Sequence, residues 1–121
     1  MGLLELTEAG VPDLLEKGAD LIGEKGLSKG LRVNLRDNSV DPVAALALAS
    51  GAPIMEVHNS CCLADLGVPA VKEAALILAV EYLEAILNRP LEEWADLQEV
   101  TAQDVQRLFR MTAVRLKIAI T

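Results

Sequence analysis

Aromatic side chains are almost absent from this sequence. Tyr82, Trp94 and Phe109 are the only three, although 52% of the 121 residues are hydrophobic. The core must therefore be aliphatic and built mainly from Leu, Ala, Val and Ile. Leu and Ala are strong helix formers, whereas the aromatic and β-branched residues that favour strands are less common here. The composition predicts a mainly helical protein, and the length predicts a single domain, residues 1–121, with its own core.

Positive charge is also scarce. The chain has 11 Lys and Arg against 18 Asp and Glu, which gives a formal net charge of −7. Residues 1–100 carry seven basic and seventeen acidic side chains, a sum of −10, whereas residues 101–121 carry four basic and one acidic, a sum of +3. Nucleic-acid phosphates and anionic lipids are bound by clustered Lys and Arg. The overall charge therefore disfavours nucleic acid and membrane surfaces as partners.

Long hydrophobic runs are missing as well. The most apolar run, AALILAV at residues 74–80, has seven residues and charged neighbours on both sides. A membrane-spanning helix needs about 20 apolar residues. The first residues also lack the basic leader of a signal peptide. We expect a cytoplasmic protein with no membrane partner.

Proline, glycine and capping residues divide the chain into helical segments. Helical spacing begins near Pro12, with residues 3–9 as a separate turn, and it ends at Gly26. Thr101 and Asp104 have the spacing of a capping box that opens the last helix. The remaining predicted segments run from Pro42 to Ser50, from Pro53 to Gly67, from Pro69 to Asn88, and over residues 91–97.

One short segment has the period of a strand instead of a helix. Leu31, Val33 and Leu35 alternate with polar residues, which is typical of a half-buried strand. A lone strand leaves backbone groups unpaired. It therefore pairs with residues near 38–42 in a hairpin or with a second copy of the chain. The predicted fold is mainly α: a compact bundle of five or six helices with one short strand or hairpin near residues 31–36.

The segment EVHNSCCLAD, residues 56–65, contains the only histidine and both cysteines. If residues 54–66 are helical, His58, Cys61 and Cys62 share one face, and His58 and Cys62 could grip a metal ion. Structural zinc, however, takes four ligands, and unpaired cysteines commonly pack as small buried side chains. Core packing of this segment is therefore the favoured interpretation. A metal or thiol site and a cysteine nucleophile stay open as alternatives. No cofactor is expected.

The last helix has apolar residues on two sides. Val105, Phe109 and Leu116 lie on one face, and Met111, Val114 and Ile118 lie on a second. Such a helix is buried on two sides or docked against a neighbour. The second apolar face and the strand that needs a partner together favour a non-enzymatic interaction protein. We expect it to form a homo-oligomer, in the simplest case a dimer. A different protein is the alternative partner. The predicted contact residues are Leu31, Val33, Leu35, Ile77, Val114 and Ile118.

An alternative function is nucleic-acid binding. Residues 91–119 could form a helix-turn-helix. Its last helix carries four cations that could contact phosphate: Arg107, Arg110, Arg115 and Lys117. The charge of −10 elsewhere and the lack of aromatic residues for base stacking argue against this alternative.

Two stretches of the chain resemble a family of small proteins of unknown function from actinobacteria and their phages. They are LLEKGADLIGEKGLSKG (14–30), with VAALALASGA (43–52) after it, and EEWADLQEVTAQDVQRLFRMTA (92–113). In the second stretch Trp94 and Asp96 precede a Thr-x-x-Asp-Val helix start, with Ala95 and Val100 where the family pattern has Asn and Arg. The resemblance implies a mostly helical fold and an origin among actinobacterial or phage accessory proteins. With that origin, the interaction function expected above would be an accessory or phage–host interaction role.

Overall fold

Helices dominate the computed structural model, which describes residues 3–60 and 66–120, with side chains for residues 10–60 and 66–118. The described residues contain six helices and two short strands. In chain order these are α1 (Leu3–Lys25), β1 (Val33–Asn34), β2 (Ser39–Val40), α2 (Pro42–Ala49), α3 (Ile54–His58), α4 (Ala70–Leu87), α5 (Leu91–Ala95) and α6 (Ala102–Ile120). The predicted mainly α fold with a small hairpin is confirmed. Within these ranges, each helix is too short or too polar to cross a membrane.

The longest helix, α1, continues through Gly10 and Pro12. The prediction of a separate turn over residues 3–9 is therefore wrong. A proline inside a helix removes one backbone hydrogen bond. Val11 and Pro12 are both buried, so packing into the core outweighs this local penalty. The helix ends where the sequence predicted, at Gly26, whose φ of +88° lies in the left-handed region.

The predicted strand finds its partner within the same chain. β1 and β2 pair antiparallel, with Val33 opposite Val40. The other edge of β2 is also paired, because Val40 N donates to Gly26 O at 3.0 Å and Ser28 N donates to Val40 O at 2.9 Å. Of the two alternatives left open by the sequence, the hairpin is the one that forms. Its backbone groups do not require a second copy of the chain.

Burial along this segment differs from the predicted alternation. Val33 is fully buried in the core, whereas Leu31 and Leu35 are 52% and 49% exposed. Strand pairing covers only Val33 and Asn34, so the leucines on either side lie outside the regular pleat. Their side chains therefore do not follow the strict alternation of a longer strand.

The central element of the fold is α1, which contacts α2, α4 and α6. α6 runs antiparallel to α1, and Gln106 Nε2 donates to Ala19 O at 3.0 Å where the two helices pack. The predicted capping box opens α6. Thr101 N donates to Asp104 Oδ2 at 2.9 Å, and Asp104 N donates to Thr101 Oγ1 at 3.3 Å. The two bonds satisfy backbone donors that a helix start would otherwise leave unpaired.

Candidate functional site

His58 connects the short helix α3 to the hairpin. Its Nδ1 lies 3.1 Å from the carbonyl oxygen of Val33, so the proton is on Nδ1 and is donated to that oxygen. α3 ends at His58, and Asn59 is its C-cap. The shared face of His58 and the cysteines depended on the condition that residues 54–66 form one helix. Because α3 ends at His58, that condition is not met.

Cys61, Cys62 and Asp65 lie outside the described residues. The predicted metal or thiol site therefore stays a prediction. His58 is half-buried and held by a backbone carbonyl, an arrangement that suits a structural histidine and also one that presents Nε2 to a metal. Over residues 10–60 and 66–118, no group of three or more His, Cys, Asp or Glu side chains is placed to hold a metal ion.

A buried ion pair joins the hairpin to α2 and α5. Arg32 Nη1 lies 3.3 Å from Asp41 Oδ2, and Arg32 Nη2 lies 2.6 Å from Glu92 Oε1. The Arg32 and Asp41 side chains are only 11% and 9% exposed, whereas Glu92 is half exposed. Asp41 is also the N-cap of α2, since its Oδ1 accepts from Ala44 N at 2.7 Å. One carboxylate thus starts a helix and anchors the hairpin.

The environment of Asp41 changes its acidity. Burial raises the pKa of Asp41 to about 6, and the nearby carboxylates of Glu92 and Asp96 act in the same direction. The Ala44 N–H and the Arg32 guanidinium lower the pKa of Asp41 and only partly offset the burial. Asp41 is therefore the acidic side chain in this cluster whose charge changes near neutral pH.

Lys29 holds the turn between α5 and α6. Its Nζ donates to three backbone carbonyl oxygens, those of Ala95, Leu97 and Val100, at 2.6, 2.7 and 2.7 Å. Next to it, Gly30 N donates to Asp96 Oδ1 at 2.9 Å. All three ammonium protons are used, so Lys29 acts as a structural cation. This role could not be predicted from local patterns, because Lys29 and its acceptors are 66 to 71 residues apart.

Two of the four cations predicted to bind phosphate are paired with α1. Arg110 Nη2 lies 2.7 Å from Asp20 Oδ1, and Lys117 Nζ lies 2.7 Å from Glu16 Oε1. Arg107 lies near Asp104, whose pKa is lowered mainly by the hydrogen bonds from Thr101 and in part by this arginine. Acidic side chains thus accompany three of these four cations, and nucleic-acid binding through α6 stays a prediction.

The remaining exposed surface of α6 is mixed apolar and cationic. Met111, Val114 and Ile118 are 49%, 52% and 71% exposed. Their spacing of three and four residues places them side by side on the helix, and Arg107 and Arg115 lie on the same side. We call these five residues the outer face of α6. The opposite side, which includes Val105, Phe109 and Ala113, is buried in the core.

α4 has an exposed side of similar character. Its buried residues are Leu76, Ala79, Val80 and Leu83. On the opposite side Ala74, Glu81 and Ala85 are exposed and Leu78 is half-buried. We call these four residues the outer face of α4; Glu81 is the single acidic side chain among them. Ile77, predicted as a contact residue, lies at the edge of this face and is half-buried.

The three predicted contact residues of the hairpin separate into two groups. Leu31 and Leu35 are about half exposed, as a contact residue must be. Val33 is fully buried against the core of its own chain and is therefore excluded as a contact residue.

The fold and the exposed faces define a small, acidic, mainly helical protein with two apolar helix surfaces. The chain belongs to DUF6197, a family of unknown function whose model matches residues 7–115. The match includes both stretches on which the resemblance rested. No curated protein matches the chain. No solved structure matches it either.

Proposed function

We propose that this protein is a non-enzymatic interaction protein that self-associates through the outer faces of α6 and α4. The observation that carries the proposal is the exposure of Met111, Val114 and Ile118, by 49%, 52% and 71%, along one side of a helix whose other side is in the core. Removing neighbouring aliphatic side chains from water is favourable. A partner surface on this side of α6 would provide that gain.

The charge distribution supports a second copy of the chain as the partner. The outer face of α6 belongs to a segment with a charge of +3, whereas residues 1–100 sum to −10. Any copy therefore offers an acidic surface to the arginines of another copy. The outer face of α4 combines that negative charge, on Glu81, with apolar side chains.

The charged groups that hold the elements together support the non-enzymatic part of the proposal. Asp41 caps a helix, Arg32 bridges two carboxylates, and Lys29 holds three backbone carbonyls. Each of these groups has a structural task in the folded chain. A cytoplasmic location and a role in phage or host interaction, both expected from the sequence, belong to this same proposal.

The experiment compares two substitutions in light scattering coupled to size exclusion. We expect the unmodified chain to be dimeric at tens of micromolar and Val114→Asp to be monomeric. A buried interfacial aspartate should raise the dissociation constant by about tenfold or more. Circular dichroism should show the same helix content for both proteins, because Val114 is exposed in the monomer.

Leu35→Asp is the matched control, since Leu35 has nearly the same exposure but lies on the hairpin. We expect it to leave the dimer intact. Loss of the dimer in Leu35→Asp, with Val114→Asp unaffected, would assign the interface to the hairpin and overturn the assignment to α6. A chain that is monomeric before any substitution would overturn the proposal as a whole.

A further inference from the structure

Each outer face carries a charged side chain with no ion pair among the described residues. On α6 it is Arg115, which is exposed; the other arginine of this face, Arg107, lies near Asp104. On α4 it is Glu81, which is also exposed. Both charges lie beside apolar side chains, where a partner surface would remove water from them. Such a charge needs an opposite charge when it is covered.

The side chains around these two charges have the same spacing along their helices. On α6 the neighbours of Arg115 are the long side chains Met111 and Ile118, seven residues apart. On α4 the neighbours of Glu81 are Leu78 and Ala85, which are also seven residues apart. Seven residues of helix span about 10.5 Å, so the two patterns have the same length.

We propose that Arg115 of one copy forms an ion pair with Glu81 of a second copy, and that this pair sets the register of the α6–α4 contact. The inference rests on the self-association proposed above. α4 and α6 contact each other within the fold. In the proposed dimer a two-fold axis brings each α6 onto the α4 of the other copy. The dimer would then contain the Arg115–Glu81 pair twice.

The test is a charge exchange measured by sedimentation velocity over a concentration series. We expect Arg115→Glu and Glu81→Arg each to raise the dimer dissociation constant by about tenfold or more, because each places like charges opposite one another. The double variant carries the same two charges in exchanged positions. Its dissociation constant should return to within about threefold of that of the unmodified chain, since the attraction is restored.

Lys17→Glu and Glu93→Arg are the matched controls. They make the same charge changes at exposed positions on α1 and α5. We expect each control to change the dissociation constant by less than about threefold, the effect of net charge alone.

The outcomes separate this inference from the proposed function. Suppose that Val114→Asp dissociates the dimer and that each single charge reversal weakens it. If the double variant then fails to restore the dissociation constant, the ion pair is overturned and self-association is not. Single reversals that act no more strongly than their controls would overturn the pair in the same way. A monomeric unmodified chain would overturn both.

Discussion

At the scale of single residues, Asp41 makes the stability of the fold depend on pH. Its carboxylate caps α2 and contacts Arg32, yet burial raises the pKa of Asp41 to about 6. The unfolded chain releases this proton near the ordinary value of 3.8. The folded state therefore holds the proton more tightly. The stability that Asp41 contributes is greatest below pH 4 and is lost as the pH rises through 6.

Asp41→Asn isolates this effect, because asparagine keeps an oxygen that can cap α2 but does not titrate. We expect the free energy of unfolding of the natural chain, minus that of the variant, to fall by about 3 kcal/mol between pH 3.5 and pH 7.5. Urea unfolding at a series of pH values measures this difference. A difference that rises with pH would show that attraction to Arg32 outweighs burial.

Short-range features of individual residues could be predicted from the sequence, whereas long-range ones could not. Thr101 and Asp104 are three residues apart, and their capping box formed as predicted. The contact between Arg32 and Glu92 depends on how the hairpin docks beside α5, and no local spacing encodes it. The three carbonyl acceptors of Lys29 could not be predicted for the same reason.

At the scale of elements, the packing of α1 depends on the absence of a side chain at one position. A β-carbon at Gly18 would lie 2.8 Å from Leu46 Cδ2 and 3.1 Å from Phe109 Cε2. Gly10 lies in the same helix, and a β-carbon there would meet no atom within 4 Å. The two glycines therefore have opposite roles. Gly18 permits close packing, whereas Gly10 only weakens the helix.

Substituting alanine at each glycine tests this difference. We expect Gly18→Ala to lower the free energy of unfolding by about 1 kcal/mol, because overpacking exceeds the gain in helix propensity. Gly10→Ala should raise it by about 0.5 to 1 kcal/mol, since only the propensity changes. Urea unfolding of both variants gives the two values. Stabilisation by Gly18→Ala comparable to that by Gly10→Ala would contradict the close contact between α1 and its neighbours.

Element boundaries marked by strong local signals were predicted well. Helices α2 and α4 begin and end near Pro42, Ser50, Pro69 and Asn88, as the sequence indicated. The interruption expected near Pro12 was wrong because burial of the surrounding side chains keeps α1 continuous. The apolar segment that begins at Pro53 is helical only to His58, whose ring is bonded to β1, so the condition of one helix over residues 54–66 is not met. In both cases tertiary contacts overrode the local pattern.

At the scale of the whole molecule, the chain combines an acidic body with two apolar helix surfaces. The sequence predicted a second apolar face on the last helix, and Met111, Val114 and Ile118 are indeed exposed there. The outer face of α4 was not predicted from the sequence, because its alanines were interpreted as core residues. The hairpin satisfies its own backbone, so self-association now depends on the helix faces and not on an unpaired strand.

The mass of the unmodified chain in solution tests the central claim most directly. Sedimentation equilibrium from about 1 to 100 µM spans the range in which a modest interface associates. We predict that the average mass rises with concentration from the 12.9 kDa of one chain toward twice that value. A mass that stays at 12.9 kDa over the whole range would contradict the account.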